Sequence, residues 1–198
     1  MDARLLRSRS KLFAAVLELA ADRRAEDLTV TEVAERAGVH RSTFYEHADS
    51  PAALLREALE SELDEVRERY LAGADLDLQH VPAALRDVTL AVLVHVQEHR
   101  EIYRRGLAAG GTLHDFLSAH FQGSSRLLLD RGLLVAPEVD GMSAQAVGDA
   151  AVRYVADGTV GAIAVWLHRP GHPEPFLRAL ATLVPSWWTL AEPQPGTM

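Results

Sequence analysis

One stretch of the sequence has a spacing that suggests metal chemistry, His95-Val96-Gln97-Glu98-His99. Two histidines four residues apart lie on one face of a helix, and with a neighbouring glutamate this H-x-x-E-H pattern is typical of zinc peptidases. No acidic third ligand identifies itself further along the chain. A helical zinc hydrolase that uses His95, Glu98 and His99 is therefore an alternative hypothesis, while we expect no metal site, no cofactor and no catalytic site.

Other catalytic patterns are missing from the sequence. It contains no cysteine, which excludes disulfides, thiolate zinc sites and cysteine nucleophiles. Gly106 to Thr112 has a glycine spacing faintly like that of a phosphate-binding loop. Thr112, however, stands where such a loop requires lysine. No G-x-S-x-G elbow occurs, and a serine near a histidine, such as Ser118 and His120, is too common to indicate a nucleophile.

A second group of residues has the side-chain types that contact DNA. Arg41 begins a short polar run in which Phe44 is the one large apolar residue. Arginine can bond both O6 and N7 of guanine in the major groove, and hydroxyl groups suit phosphate oxygens. We expect Phe44 to anchor the run in a core and the polar residues to face outwards. The expected DNA contacts are Thr31, His40, Arg41, Ser42, Thr43, Tyr45 and His47.

Two short helices joined by a glycine turn would position these side chains. Thr29 and Glu32 have the spacing of a capping box, which begins a helix that Gly38 can end in a left-handed conformation. A second helix is expected from Arg41 to His47. Small or apolar side chains between the two helices allow them to cross closely. The pattern therefore predicts a helix-turn-helix over residues 29–47.

The rest of the chain has helical periodicity and few breakers, so we predict an all-α protein. Ser50 and Pro51 suit the first positions of a long helix, and Ser143 suits a cap. Valines at 88–96 favour a strand by propensity, but their setting in a long run without a breaker favours a buried helix. The predicted helices cover about 8–23, 30–37, 41–47, 51–72, 82–103, 113–130, 144–168 and a last one holding 176–183.

These elements predict a helical DNA-binding domain followed by a helical bundle. We expect a three-helix DNA-binding domain over residues 1–50, with a long linking helix from 51 to about 72. An irregular junction begins at Gly73 and runs to Val81. A domain for effector binding and dimerisation is expected over 73–192, and residues 193–198 are expected to form a loose tail.

The helix-turn-helix residues and their surroundings resemble a known family. TVTEVAERAGV at 29–39 and STFYEH at 42–47 resemble the DNA-binding domain of the tetracycline-repressor (TetR) family. Ala14-Ala15 and Leu17-Glu18-Leu19 fit its first helix, so the likeness covers about residues 8–60. Further along, GTVG at 158–161 leading to Trp166-Leu167 resembles the penultimate helix of the family, which packs against its twin in a dimer. The resemblance implies a one-component transcriptional regulator.

The sequence departs from the family pattern at four places. Arg24, His40, Ala48 and Pro51 stand where the family usually has glycine, serine, phenylalanine and lysine. The lost serine would have capped the recognition helix, and the lost lysine normally contacts a phosphate. Phosphate contacts would then depend on Thr31, Tyr45, His47 and a basic N-terminal arm. A DNA-binding arm and a frayed terminus are alternative interpretations of this arm. That arm comprises Arg4, Arg7, Arg9 and Lys11.

Charge and hydropathy limit the partners. The chain has 198 residues, with 20 lysines and arginines and 28 acidic residues, for a net charge of −8. Residues 1–50 hold 8 basic and 9 acidic side chains (net −1), whereas 51–198 hold 12 and 19 (net −7), so most repulsion of DNA would come from the later part. Glu18 interrupts the apolar start, and three charges interrupt the apolar stretch 147–167. We expect a cytoplasmic protein with no membrane partner.

The resemblance implies an effector pocket and a dimer surface in the later helices. Aromatic and histidine side chains there have the usual make-up of a small-molecule site. The candidate pocket residues are His95, His99, Tyr103, Phe116, His120, Phe121 and Trp166. Small residues allow close helix approach between two subunits, and the candidate interface comprises Gly158, Gly161, Ala162, Val165, Phe176 and Leu180.

The prediction that follows is a homodimeric repressor that binds a palindromic operator in double-stranded DNA. A small-molecule effector would favour a conformer in which the helix from Pro51 moves the two recognition helices to the wrong spacing. Besides the zinc hydrolase, a helical adaptor with a degenerate DNA surface remains an alternative hypothesis, because of Pro51 and the acidic charge.

Overall fold

A computed structural model describes residues 3–71, 78–108, 112–169 and 171–190. Within these ranges the chain forms nine α helices and two short strands: α1 (Ala3–Asp22), α2 (Val30–Ala37), α3 (Arg41–Tyr45), α4 (Pro51–Leu71), α5 (Val81–Glu98), α6 (Arg100–Gly106), α7 (Leu113–Asp130), β1 (Leu134–Val135), α8 (Ala144–Leu167), α9 (Pro173–Leu183) and β2 (Thr189–Leu190). The prediction of an all-α protein is confirmed. The loose tail and most of the junction at 73–81 lie outside the described residues.

The chain packs as two compact units, each built from two stretches. The first unit comprises Met1–Glu62 and Glu98–Leu113, and the second comprises Leu63–Gln97 and His114–Met198. The division into a DNA-binding domain at 1–50, a linking helix, and an effector-binding and dimerisation domain at 73–192 stays a prediction.

The core of the first unit forms where α1 packs against α2 and α6. Leu12 and Val16 of α1, Val33 of α2 and Phe44 of α3 are fully buried. Burial of four large side chains from three helices fixes the orientation of the two short helices against the longer one, because neither short helix is long enough to be stable alone.

Local signals set the ends of the helices in this unit. Ser50 caps α4 by accepting a hydrogen bond from the Ala53 backbone N–H at 3.2 Å, and Pro51 occupies the first helical position. A 3-10 turn at Ala25–Asp27 connects α1 to α2. The predicted start of α4 is therefore confirmed.

The second unit has its own core. One apolar cluster includes Leu71 of α4, Val81 and Val88 of α5, and Leu128 of α7. Along α8, Val152, Val160 and Ile163 are buried. Ser143 caps α8 by accepting from the Ala146 backbone N–H at 3.2 Å, as predicted. The stretch 88–96 is helical, which confirms the choice of helix over strand.

α8 is also the one helix, among the described residues, that is long and apolar enough to span a membrane by length and composition. Of its most apolar stretch, 39% is buried inside the fold. The core helix of a soluble protein meets the same criterion, so this is weak support for a membrane span. Its Asp157 accepts hydrogen bonds from Ser118 and Arg153, each at 2.5 Å.

The structure corrects three helix boundaries. α3 ends at Tyr45 rather than at His47. α1 begins at Ala3 rather than Ser8, so the expected basic arm is helical. The single helix predicted from Pro82 to Tyr103 is interrupted at His99, whose φ of −100° and ψ of 30° depart from helical values. The His99 imidazole Nε2 lies 2.7 Å from Glu62 Oε2, a contact that periodicity along the chain does not reveal.

The sequence did not predict the small sheet. β1 and β2 pair antiparallel, with Leu134 opposite Leu190 and Val135 opposite Thr189. Each strand has two residues, too few for an alternating pattern to indicate a strand.

Phe44→Ala tests how α3 is anchored. Because Phe44 is fully buried, its truncation should lower the free energy of unfolding by about 3–5 kcal/mol. The neighbouring Tyr45 is 53% exposed, so Tyr45→Ala should change it by only about 0.5 kcal/mol. Urea denaturation followed by circular dichroism measures both. Equal losses in the two variants would contradict this orientation of α3.

Candidate nucleic-acid interface

α3 presents a polar surface above a single buried anchor. Arg41, Ser42 and Tyr45 are exposed, Thr43 is half-buried, and Phe44 is buried. The rings of Phe44 and Tyr45 lie edge to face with centroids 5.7 Å apart. An arginine and two hydroxyl side chains therefore face outwards from a rigidly anchored helix, as recognition of a DNA groove requires.

The turn before α3 has the geometry that its glycine predicts. Gly38 is left-handed with φ of 64°, and its backbone N–H lies 3.1 Å from the Glu35 carbonyl oxygen, which closes α2. His40 precedes α3 in an extended conformation and makes no side-chain cap. The sequence has histidine instead of a capping serine at this position. No side chain therefore caps the N-terminus of α3.

The first turn of α2 is held by a capping box joined to an ion pair. The Glu32 backbone N–H donates to Thr29 Oγ1 at 3.2 Å, and the Thr29 backbone N–H donates to Glu32 Oε2 at 2.8 Å. Arg23 also donates to Glu32 Oε1. The Arg23 hydrogen bond, with those from Thr29, lowers the pKa of Glu32 to about 2. Thr31, one of the expected DNA contacts, is exposed in this same turn.

Contacts with α1 restrict two groups expected to bind DNA. His47 Nε2 lies 2.8 Å from Ser8 Oγ, so the half-buried imidazole is oriented by α1. Arg9 of the basic segment donates to Glu57 Oε1 at 2.8 Å and covers the Phe13 ring at 4.8 Å. Arg9 is thus engaged within the fold, whereas Arg7 and Lys11 are exposed on α1.

A comparison with protein families decides what these helices belong to. The family of bacterial regulatory proteins described as the tetR family matches residues 12–58, a range that begins in α1 and ends in α4. These residues therefore form a DNA-binding domain of the TetR family. The protein is a DNA-binding transcriptional regulator, and the zinc hydrolase hypothesis is not favoured. No functionally curated protein matches the sequence.

Solved structures share the fold of this chain well beyond the matched domain. The dihydroxyacetone kinase operon activator DhaS aligns with a TM-score of 0.64 at 14% identity, over 89% of this chain and 93% of its own. A tetR-family transcriptional regulator from Streptomyces coelicolor aligns at 0.60 and 20% identity, over 92% and 80%. NalD, the secondary repressor of the MexAB-OprM efflux pump in Pseudomonas aeruginosa, aligns at 0.52 and 20%, over 91% and 96%. At such identities the likeness concerns the fold alone.

The predicted effector residues fall in both compact units. His99 and Tyr103 belong to the first unit, where Tyr103 is fully buried. Burial, together with the charge of Glu62, raises the pKa of the Tyr103 hydroxyl. The other five belong to the second unit: His95 on α5, Phe116, His120 and Phe121 on α7, and Trp166 on α8.

Within the second unit, two of these side chains have clearly defined surroundings. His120 is buried, and burial lowers its pKa to about 4, assisted by the charges of Arg67 and His95. The imidazole is therefore neutral at pH 7. Trp166 stacks on Phe176 with ring centroids 4.8 Å apart. That these residues form an effector pocket stays a prediction.

The histidine pair of the H-x-x-E-H pattern does not lie on one helix. α5 ends at Glu98, and His99 precedes α6. The pattern therefore runs across the end of α5 instead of lying within one helix.

A cavity that the sequence did not predict lies within the first unit. It has a volume of about 360 Å³ and is bounded by the end of α1, the first turns of α4, and α6. We call it the arginine cavity because Arg23, Arg24, Arg56 and Arg105 line it. These arginines come from three distant stretches of the chain, so no local spacing could have indicated the cavity. None of the seven predicted effector residues lines it.

Glu32→Gln tests the electrostatic part of the α2 cap. A carboxylate whose pKa is lowered by folding stabilises the fold above its unfolded pKa, near 4.5, and this contribution disappears as the pH falls towards 2. We expect wild type to exceed Glu32→Gln in stability at pH 6 and to converge with it near pH 2. Urea midpoints across this pH range measure the difference. A pH-independent difference would contradict the assignment.

Proposed function

We propose that the protein is a homodimeric repressor that binds a palindromic operator in the cytoplasm and is released by a small-molecule effector. The observation that carries the proposal is the outward face of α3, with Arg41 and Tyr45 exposed over the buried Phe44. The match of residues 12–58 to the TetR family supports the DNA target. The fold is shared with both an activator and a repressor, so repression is the finer part of the proposal.

Each expected contact has a distinct chemical task. Arg41 begins α3, the end of a recognition helix that meets base edges, so we assign it to a guanine. Tyr45 carries a phenol that can donate to a phosphate oxygen without reading sequence. Ser42 and Thr43 can also donate to phosphates, and Thr31 extends this contact from α2. His40 and His47 border α3 on either side.

Dimerisation supplies the second copy of α3. Two recognition helices must be about 34–36 Å apart to enter successive major grooves on one side of B-form DNA. We propose that the exposed face of α8 makes the dimer. Tyr154 and Val165 are 66% and 63% exposed, and with Gly158 and Gly161 they follow one stripe along the helix.

The predicted interface residues differ in how much surface they offer. Gly158, Gly161 and Val165 are exposed, Ala162 and Phe176 are half-buried, and Leu180 is buried in its own chain. A Cβ atom at Gly158 or Gly161 would meet no atom of the same protomer within 4 Å apart from the neighbouring backbone of α8 itself. These two glycines therefore leave room for a helix of a second subunit. On α9, Leu183 adds an apolar side chain that is 66% exposed.

Arg41→Ala tests base recognition. Its loss should weaken binding to the preferred duplex by about 1–3 kcal/mol and relax the base preference at one position of each half-site. Fluorescence anisotropy with the preferred duplex and its single-base variants measures both effects. An equal loss of affinity for every sequence would contradict the assignment of Arg41 to a base.

Tyr45→Phe is the matched control for that experiment because it removes one hydroxyl from the same helix. We expect it to weaken binding to all duplexes alike, since a phosphate contact carries no sequence information. An altered base preference in Tyr45→Phe would contradict the phosphate assignment.

Gly161→Trp tests the dimer surface. A Cβ atom at this exposed position meets no neighbour within 4 Å, so the variant should fold but separate into monomers that bind a half-site weakly. Gln145→Trp introduces the same side chain at another exposed position of α8 and should leave the dimer intact. Sedimentation equilibrium measures the mass of both variants. A dimeric Gly161→Trp would disprove this interface.

A further inference from the structure

The arginine cavity has an unusual charge for a protein of this composition. Four arginines and Glu26 line it, a formal charge of +3 (four minus one), although the whole chain carries −8. Such a concentration of positive charge attracts an anion, and the low-dielectric walls of a concave site strengthen the attraction.

Neighbouring acids offset only part of this charge. Arg23 is paired with Glu32, and Arg24 approaches Glu26 at 3.5 Å. Arg105 donates to the carbonyl oxygens of Ala20 and Ala21 at 2.6 and 2.5 Å, which orient its guanidinium without neutralising it.

The positive charges of Arg56 and Arg105 are the two that nearby acids do not fully offset. The acid near Arg105 is Glu101, at 3.6 Å, and this carboxylate also accepts from Arg104 at 2.7 Å. Arg56 is exposed and makes no ion pair or side-chain hydrogen bond with any residue in the described part of the chain.

The floor of the cavity is apolar. Ala25, Leu55, Ile102 and Leu113 line it, and each is buried with at most 7% of its surface exposed. Gly106 allows this arrangement, because a side chain there would collide with Leu113. The volume of about 360 Å³ is at the small end of the ~300–1,000 Å³ typical of small-molecule sites.

We propose that the arginine cavity binds a small organic carboxylate. Its carboxylate would lie against Arg56 and Arg105, and its apolar body would lie on the floor beside Leu55 and Ile102. Arginine suits this role because its planar fork can bond both carboxylate oxygens. The binding site is argued from the structure alone. That the same carboxylate is also the effector rests on the proposed function.

Isothermal titration calorimetry of the full-length protein without DNA tests the site. The probes are octanoate and phenylacetate, each compared with its primary amide, which has nearly the same shape but no charge. We expect both carboxylates to bind saturably and both amides to bind at least tenfold more weakly. Equal binding of acid and amide, or no saturable binding of either acid, would overturn the proposal.

Variants place the probes in the cavity. Arg56→Gln should weaken carboxylate binding roughly tenfold, the factor expected for one lost charged hydrogen bond. Ala53→Phe, which fills the cavity from α4, should weaken acids and amides alike. Arg69→Gln changes an exposed arginine of α4 outside the cavity and should leave binding unchanged. Unchanged binding in both cavity variants, or an equal loss in Arg69→Gln, would overturn the assignment.

The two proposals fail separately in these measurements. Calorimetry contains no DNA, so a protein that binds no operator can still bind octanoate. Conversely, a protein that binds operator but neither carboxylate would retain the proposed function and lose only this site.

Discussion

The burial of Phe44 is the constraint on which the DNA-binding surface depends. α3 has only five residues and has no stability of its own, so one fully buried ring must determine its orientation. With that ring fully buried, the remaining side chains of α3 can only face outwards or along the surface. The exposure of Arg41 and Tyr45 is a consequence of this anchor.

The negative net charge of the chain makes its affinity for DNA depend on direct contacts. A chain of net charge −8 gains little from unspecific attraction to a phosphate backbone, and Pro51 stands where the family usually has a phosphate-binding lysine. Part of the remaining positive charge is also engaged internally, as Arg9 is by Glu57 and Arg23 by Glu32. Affinity should therefore depend mainly on direct contacts from α3 and on two copies acting together.

Local features were predictable from the sequence because their physical causes are local. The capping box at Thr29 and Glu32, the left-handed Gly38 and the cap at Ser50 each involve residues three or four positions apart. Features that depend on distant contacts were not predictable in this way. The break at His99 accompanies a contact with Glu62, 37 residues earlier, and the sheet joins Leu134 to Leu190.

The same distinction applies to the candidate sites. The polar run of α3 was predictable because one helix carries it, whereas the arginine cavity needs Arg23, Arg56 and Arg105 to meet from three stretches of chain. Arginines so far apart along the chain cannot be distinguished, from the sequence alone, from arginines scattered over an ordinary protein surface. The histidine pattern at 95–99 crosses the end of α5, which its spacing along the chain did not indicate.

The most direct test of the central claim is selection of bound duplexes from a random DNA library by the wild-type protein. Two α3 helices presented by a twofold dimer predict enrichment of an inverted repeat whose half-sites are about 10–10.5 base pairs apart, or a multiple of that spacing. Enrichment of a single unrepeated site, or of no sequence, would contradict the account.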